Sequence, residues 1–261
     1  MDSPYAPALS ARVRHAEHVM GTVVSFDVPV SATADGSLDR AIRWLHWVDR
    51  IFSPFRPDSD VSLLASAEAT VAGCAPEVAE VLAACAYLRE LSGGYFTSAP
   101  GGQFDPSGYV KGWAVERAAS ILAWAGSADH LVNGGGDVQS VGGRPASGDW
   151  RVGVASPGAP GGGLALVVSG RDFAVATSGT AERGAHIYDP VSGRPATGMA
   201  SITVAGPRLA WADAYATAAF AMGPELAREW TESLDGYEAF AILPDGTTWH
   251  TRGFAAYIPG E

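Results

Sequence analysis

The chain has 261 residues, enough for one large domain or two small ones, and 47% of them are hydrophobic, so a substantial core is available. Acidic residues outnumber basic residues by 28 to 17, and the net charge of −11 excludes nucleic acid as the main partner because phosphate binding needs a basic surface. No apolar run reaches membrane-spanning length and the first residues lack an apolar h-region, so we expect no membrane segment, no signal peptide and a cytoplasmic location.

The first part of the chain is predicted to form one strand followed by two helices. Alternating residues predict the strand over 19–30, and apolar residues at helical spacing predict a helix over 38–52. The Pro-flanked segment 53–57 ends that helix. A second helix is predicted over 76–92, with Pro76 near its first position.

The remainder of the chain intersperses short strands with three further helices. A loop is predicted over 96–109 and a helix over 111–124. Strands are predicted over 129–132, 138–141, 150–155, 164–169, 173–177, 201–205, 239–243 and 248–251, and helices over 211–222 and 224–233. Because hairpin-like neighbours dominate, we expect an α+β fold with largely antiparallel sheets and packed helices rather than a doubly wound fold.

The domain organisation is predicted to be a single domain over residues 1–261. A Gly-rich run at 158–163 lies between two predicted strands, so it indicates a mobile hairpin loop rather than a domain boundary. Cys74 and Cys85 form no Cys-x-x-Cys pair, so we expect small buried hydrophobes and no structural zinc.

The strongest chemical motif lies in the alanine-rich helix near the C-terminus. Asp213 and Thr217 are four residues apart, so both side chains project from one face of its first turns. Paired hard oxygens suit Mg²⁺, which takes its remaining ligands from phosphate or water. The alternative is a helix cap or a partner of the helix dipole.

Two further motifs are typical of phosphate binding. Asn133, Gly135, Gly136 and Asp137 belong to a Gly-rich run between strands, where successive N–H groups form an anion nest, and a tight turn is the alternative. The run is neither a dinucleotide fingerprint nor a Walker motif. Residues 105–112 lead into a helix whose N-terminus favours phosphate, with Lys111 either an added cation or a solvated side chain.

Two further side chains are candidates for direct roles. Histidine changes charge near neutral pH, so His186, which lies between polar turns, is a candidate general base, although any histidine is more often structural. Asp189 before Pro190 is expected to stabilise a turn. Phe55, on its Pro-flanked loop, is the aromatic residue that we expect to offer a stacking surface.

Seven segments carry a common pattern that spans most of the chain. They are residues 18–22, 52–60, 105–114, 133–138, 174–179, 186–195 and 212–223. In this order they resemble the ApbE-type family of Mg²⁺-dependent FAD:protein FMN transferases. The resemblance implies a T-fold-like α+β fold with the nucleotide in a cleft between two halves. It also implies transfer of the FMN half of FAD onto a Thr or Ser hydroxyl of an acceptor flavoprotein, with release of AMP.

The resemblance also implies a set of site residues. FAD would be bound by Met20, Phe55, Tyr95, Phe96, Thr97, Asp105, Lys111, Asn133, Gly135, Gly136, Asp137, Ser178, Gly179 and Ile187. Mg²⁺ would take the Gly108 and Ala216 carbonyls, the Asp213 carboxylate and the Thr217 hydroxyl. His186 would be the base for the incoming hydroxyl. Two alternatives stay open, namely a Mg²⁺-dependent FAD pyrophosphatase and a non-catalytic FAD-binding protein.

The chain departs from the family pattern at several positions. Phe55 stands where the family usually has Tyr, and Thr97 where it usually has an acidic residue. The family's Ser-Glu-x-Ser-Arg-x-Asn pattern is degraded over residues 59–65. Several dozen residues that usually separate the loop near Phe96 from Asp105 are missing, which would open part of the cleft. The metal motif and His186 survive, so we expect retained catalysis.

Overall fold

The computed structural model describes residues 11–144, 148–157, 163–180 and 187–260. The strands are β1 Arg12–Val19, β2 Thr22–Pro29, β3 His130–Gly134, β4 Asp137–Val141, β5 Trp150–Ala155, β6 Leu164–Gly170, β7 Ala174–Gly179, β8 Tyr188–Asp189, β9 Arg194–Pro195, β10 Ser201–Gly206, β11 Glu238–Ile242 and β12 Thr248–His250. The α-helices are α1 Ser31–Ala34, α2 Ser37–Phe52, α3 Asp60–Ala65, α4 Pro76–Leu91, α5 Ser107–Trp124, α6 Leu209–Met222 and α7 Pro224–Glu232. Short 3₁₀ helices occupy Val71–Gly73, Pro100–Gly102 and Arg252–Tyr257.

Eight strands form one sheet in the order β1-β2-β3-β4-β7-β10-β11-β12. Every neighbouring pair in this sheet is antiparallel. Two further antiparallel pairs, β5-β6 and β8-β9, stand apart from it. The predicted α+β class with largely antiparallel sheet is therefore confirmed, whereas the T-fold label stays a prediction.

Both faces of the eight-stranded sheet are covered by a hydrophobic core, and alternate residues of its strands contribute to the two cores. On β7, Ala174 and Ala176 belong to the larger core beneath α2, α5 and α6, while Val175 points to a smaller core. Trp150 and Val154 of the β5-β6 hairpin contribute to that smaller core, together with the 3₁₀ helix Arg252–Tyr257. Successive residues of a strand face opposite sides, so β7 serves both cores at once.

Helices α5 and α6 approach each other closely because a glycine lies at their crossing. A Cβ atom built on Gly112 of α5 would lie 2.7 Å from the Leu209 carbonyl oxygen and 2.8 Å from the Asp213 Cβ of α6. Real Cβ atoms do not approach so closely, so only glycine permits this separation of the two helices.

The start of α6 is fixed by side chains from other elements. The Glu116 carboxylate of α5 accepts hydrogen bonds from the Ala210 amide at 2.9 Å and from Arg208 at 2.8 Å. The Gln139 Oε1 atom of β4 accepts a hydrogen bond from the Leu209 amide at 2.9 Å. These acceptors satisfy amides that the first turn leaves without intrahelical partners, and the carboxylate complements the positive end of the helix dipole. They anchor the turn that precedes Asp213.

Most predicted elements are confirmed, with differences at their ends. The predicted strand over 19–30 is in fact the end of β1, a turn and β2. Helix α5 begins at Ser107 rather than at 111, and α6 begins at Leu209, so Lys111 and Asp213 lie in second rather than first turns. The pairing of β5 with β6 is confirmed, and the loop predicted over 158–163 lies mostly outside the described residues.

Two further expectations concern the cysteines and the membrane. Cys85 is buried as expected, whereas Cys74 is only partly buried, and both thiols are free. No helix in the described part of the chain is both long and apolar enough to cross a membrane.

Candidate functional site

A cavity of about 560 Å³ collects most of the predicted site residues. Its walls come from the β1-β2 turn, the end of α2 with the following Pro-rich loop, the start of α5, the β3-β4 turn, β5, β7 and α6. A volume of this size lies within the range of small-molecule and cofactor sites. The predicted residues on these walls are Met20, Phe55, Tyr95, Thr97, Asp105, Gly108, Lys111, Gly135, Gly136, Asp137, Ser178, Gly179, Ile187, Asp213 and Thr217.

The centre of the cavity wall is an ammonium group between two carboxylates. Lys111 Nζ donates to Asp213 Oδ1 at 3.1 Å and is paired with Asp137 Oδ2. Asp213 Oδ2 accepts the Gly112 amide at 2.9 Å, and Asp137 Oδ1 accepts the Thr177 amide at 2.9 Å. The side chains of Asp137 and Asp213 are 3% and 6% exposed, and that of Lys111 is 22% exposed. Lys111 is therefore an ion-pair partner and not a solvated side chain.

Thr217 lies one helical turn beyond Asp213 on the same wall, as the four-residue spacing predicts. Its Oγ1 is 3.4 Å from Ser178 Oγ of β7. A Cβ built on Gly108 would be 3.7 Å from the Thr217 Cγ2 methyl, so the first turn of α5 lies against the Thr217 side chain. Ala216 is fully buried, and it does not line the cavity.

These donors fit a hard divalent cation. Asp137, Asp213 and Lys111 together carry a net charge of −1 in a largely buried place, which favours an additional cation. In the described residues no three His, Cys, Asp or Glu side chains converge on one metal position. A cation here would therefore rely on hydroxyl and carbonyl oxygens beside Asp213, a donor set that suits Mg²⁺ better than zinc.

The Gly-rich run forms a two-residue turn between β3 and β4. Gly135 and Gly136 have φ angles of 60° and 97°, which are accessible mainly to glycine. Asn133 Oδ1 accepts the Gly136 amide at 2.9 Å, so Asn133 stabilises the turn and does not line the cavity. The structure shows the tight turn and not the anion nest, because the Gly135 amide donates to the Val23 carbonyl oxygen at 3.1 Å and the Gly136 amide donates to Asn133. Gly135, Gly136 and Asp137 still line the cavity.

The aromatic residues divide between the rim and the core. Phe55 is 92% exposed and lies on the rim. Phe96 is 1% exposed, and its ring is packed behind Gly108, within 3.6 Å of a Cβ built there, so it does not line the cavity. Asp105 accepts the Ser107 amide at 2.9 Å at the start of α5 and also lines the cavity.

The residues after β7 form the far wall. Ile187 and Tyr188 line the cavity, while the candidate base His186 lies outside the described residues. Residues 152–157, along β5 and the segment after it, also line the cavity and were not predicted to do so. Their sequence carries only an apolar strand signal, so no local pattern connects them to a site.

Comparison with known proteins decides the family. A family model described as "ApbE family" matches residues 20–102 and 97–241. The chain belongs to the ApbE family. The two segments matched by the ApbE model overlap at residues 97–102. The deletion predicted from the sequence lies between Phe96 and Asp105, at the same place.

The relatives of this ApbE chain are proteins named FAD:protein FMN transferase. The one from Treponema pallidum (strain Nichols) is 36% identical over 162 residues, 56% of this chain and 45% of the relative. The one from Escherichia coli (strain K12) is 28% identical over 169 residues, 60% of this chain and 48% of the relative. The chain spans about half the length of the curated relatives it matches.

Solved ApbE structures share the fold over nearly the whole chain. The flavin transferase ApbE from Vibrio cholerae superposes with a TM-score of 0.81 at 20% identity, covering 95% of this chain and 99% of that one. The ApbE protein from Thermotoga maritima gives a TM-score of 0.87 at 21% identity, covering 96% and 100%. At this level of identity the likeness establishes the fold.

Proposed function

We propose that the chain is a flavin transferase that moves the FMN half of FAD onto a Thr or Ser hydroxyl of an acceptor flavoprotein and releases AMP. Family membership and the names of the relatives support flavin transfer. The observation that carries the proposal is the buried Asp213 carboxylate, held by Gly112 and Lys111 on the cavity wall with Thr217 one turn further along α6.

The cavity residues divide into those for the pyrophosphate and those for the ring systems. At the cavity wall, Asp213, Thr217 and the Gly108 carbonyl would hold Mg²⁺, which when bound neutralises pyrophosphate charge and polarises the attacked phosphorus. The N-terminus of α5 would face the phosphate oxygens, and the Gly135-Gly136 turn, which carries no Cβ atoms, would let the backbone approach them closely. Phe55, Tyr95 and Met20 would pack against the flavin or adenine.

The proposed transfer makes one P–O bond and breaks another. The acceptor hydroxyl oxygen attacks the phosphorus of the FMN half of FAD, and the bond from that phosphorus to the bridging oxygen breaks. AMP leaves with the bridging oxygen, and the hydroxyl proton passes to a base, for which His186 is our candidate. With water in place of the hydroxyl, the same step yields free FMN and AMP.

The test is to measure AMP release from FAD with and without Mg²⁺, beside mass spectrometry of a candidate acceptor flavoprotein. AMP together with an FMN-sized mass gain on the acceptor would support the transferase. AMP with free FMN only, across several acceptors, would replace it by the FAD pyrophosphatase. Tight FAD binding without AMP would replace it by a flavin-binding protein without turnover. The cytoplasmic location expected from the sequence stays a prediction.

His186→Ala is expected to retain FAD binding but to lose transfer, because the acceptor hydroxyl then lacks its proton acceptor. General bases contribute about 10²- to 10⁴-fold to rate. FAD affinity is measured by flavin fluorescence, and transfer by the mass gain of the acceptor. His250→Ala, which removes a histidine outside the cavity, is the control. An unchanged transfer rate in His186→Ala would assign the proton to another group.

Phe55→Ala is expected to weaken FAD binding without changing the melting temperature. Its ring is 92% exposed, so its removal leaves the core intact, whereas a lost aromatic stacking contact costs about 0.5–1.5 kcal/mol, or roughly two- to tenfold in Kd. Fluorescence titration with FAD measures the effect. Trp124→Ala, an exposed aromatic residue away from the cavity, should bind FAD normally. Equal affinity in the wild type and Phe55→Ala would remove Phe55 from the binding surface.

A further inference from the structure

The side chain of Lys111 joins two carboxylates that come from different parts of the fold. Asp137 begins β4 and Asp213 lies in α6, and Lys111 reaches both from α5. Each carboxylate is also fixed by one backbone amide, Thr177 for Asp137 and Gly112 for Asp213. Lys111 is the most exposed of the three side chains, and its flexible four-carbon stem makes it the member that can move.

The ammonium group satisfies a charge requirement of the metal-free protein. Two nearly buried carboxylates without a cation would repel each other and lose their hydration, which is costly at such depth. Lys111 supplies the compensating charge. Asp213 is also the carboxylate that the proposed function assigns to Mg²⁺, so an ammonium 3.1 Å from its Oδ1 opposes a second cation at the same oxygen.

We propose that Lys111 is an internal counter-cation, which holds Asp213 in the metal-free protein and gives it up when a divalent cation binds. Lys111 thereby sets the cation affinity of the site and acts as a positioning residue through Asp213. Its bond to Asp137 retains it in the cavity after this exchange, where its ammonium can face substrate phosphate. The inference rests on the proposed function for the assignment of Asp213 to the cation, and not for the transfer reaction.

The test is calorimetric titration with Mg²⁺ alone, in the absence of FAD. Lys111→Met removes the charge at similar length, and we expect it to bind Mg²⁺ about tenfold or more tightly than the wild type. Lys111→Arg, which keeps the charge, should stay close to the wild type. In EDTA, Lys111→Met should melt below the wild type, and excess Mg²⁺ should raise its melting temperature by more than it raises that of the wild type.

Further variants separate the possible failures. If Lys111→Met does not fold, Lys111→Gln replaces it, because the amide keeps a hydrogen-bond donor without charge. Suppose that the uncharged Lys111 variant binds Mg²⁺ no more tightly than the wild type, while Asp213→Asn loses Mg²⁺ binding. That result would overturn the counter-cation role of Lys111 and leave the metal assignment of Asp213 intact. If Asp213→Asn binds Mg²⁺ with the wild-type affinity, the cation lies elsewhere. That result would overturn both the counter-cation role of Lys111 and the metal assignment of the proposed function.

Discussion

Asp213→Ala is expected to abolish the Mg²⁺-dependent release of AMP from FAD. The substitution removes the one carboxylate that the proposed function gives to the cation, and it leaves Lys111 and the Gly112 amide without their acceptor on α6. Lewis-acid assistance is worth several kcal/mol of transition-state stabilisation, so we expect a rate loss of about a thousandfold. Chromatographic quantification of AMP, with Mg²⁺ varied over a wide range, measures it.

The control for this variant is a carboxylate of similar chemistry far from the site. Asp245 is exposed, accepts a hydrogen bond from the Thr247 amide and does not line the cavity, so Asp245→Ala should release AMP at the wild-type rate. Circular dichroism of both variants separates loss of chemistry from loss of fold. Full Mg²⁺-dependent activity in a folded Asp213→Ala protein would remove Asp213 from the metal site.

Gly112→Ala is expected to impair both stability and cation binding. The added methyl group would meet the Leu209 carbonyl and the Asp213 side chain at under 3 Å, so α6 must move away from α5 and carry Asp213 with it. Overpacking of this kind costs about 1–3 kcal/mol, against which alanine regains up to about 1 kcal/mol of helix propensity. Thermal unfolding and Mg²⁺ titration are the two measurements.

A second glycine-to-alanine change provides the matched control for Gly112. A Cβ on Gly73 would have only the Thr70 hydroxyl near it, at 3.9 Å, so Gly73→Ala should leave the melting temperature and Mg²⁺ affinity nearly unchanged. A Gly112→Ala protein as stable as the wild type and with unchanged Mg²⁺ affinity would mean that the two helices separate without cost. The close crossing would then have no part in holding Asp213.

Local sequence patterns predicted those parts of the fold that depend on neighbouring residues. The spacing of Asp213 and Thr217 places both on one wall because helical geometry alone decides it. Apolar periodicity likewise located the five longer helices and most strands, whereas the short elements α1, α3, β8 and β9 were not predicted. Strand β1 was missed because its sequence RVRHAEHV is mostly polar without a regular apolar alternation, and only its last residue is buried at this sheet edge.

Contacts between residues far apart in the chain could not be predicted from the sequence at the site. The Lys111–Asp213 bond joins residues 102 positions apart, and neither side chain signals the other in the sequence. Glu116, which anchors the start of α6, resembles any helical glutamate until Arg208 and Ala210 are placed beside it. Phe96 was predicted from the family pattern to line the nucleotide, but its ring packs behind Gly108.

The candidate site is built from α5, β4 and α6, so it is intact only while these three elements stay packed together. The Gly112 and Thr177 amides are bonded to carboxylates 101 and 40 positions away, so solvent deuterium reaches them only when these elements come apart. A cation or nucleotide that binds there as proposed would be released when these elements come apart. We therefore expect an added ligand to slow exchange at both amides together, because it would stabilise the closed arrangement of these elements.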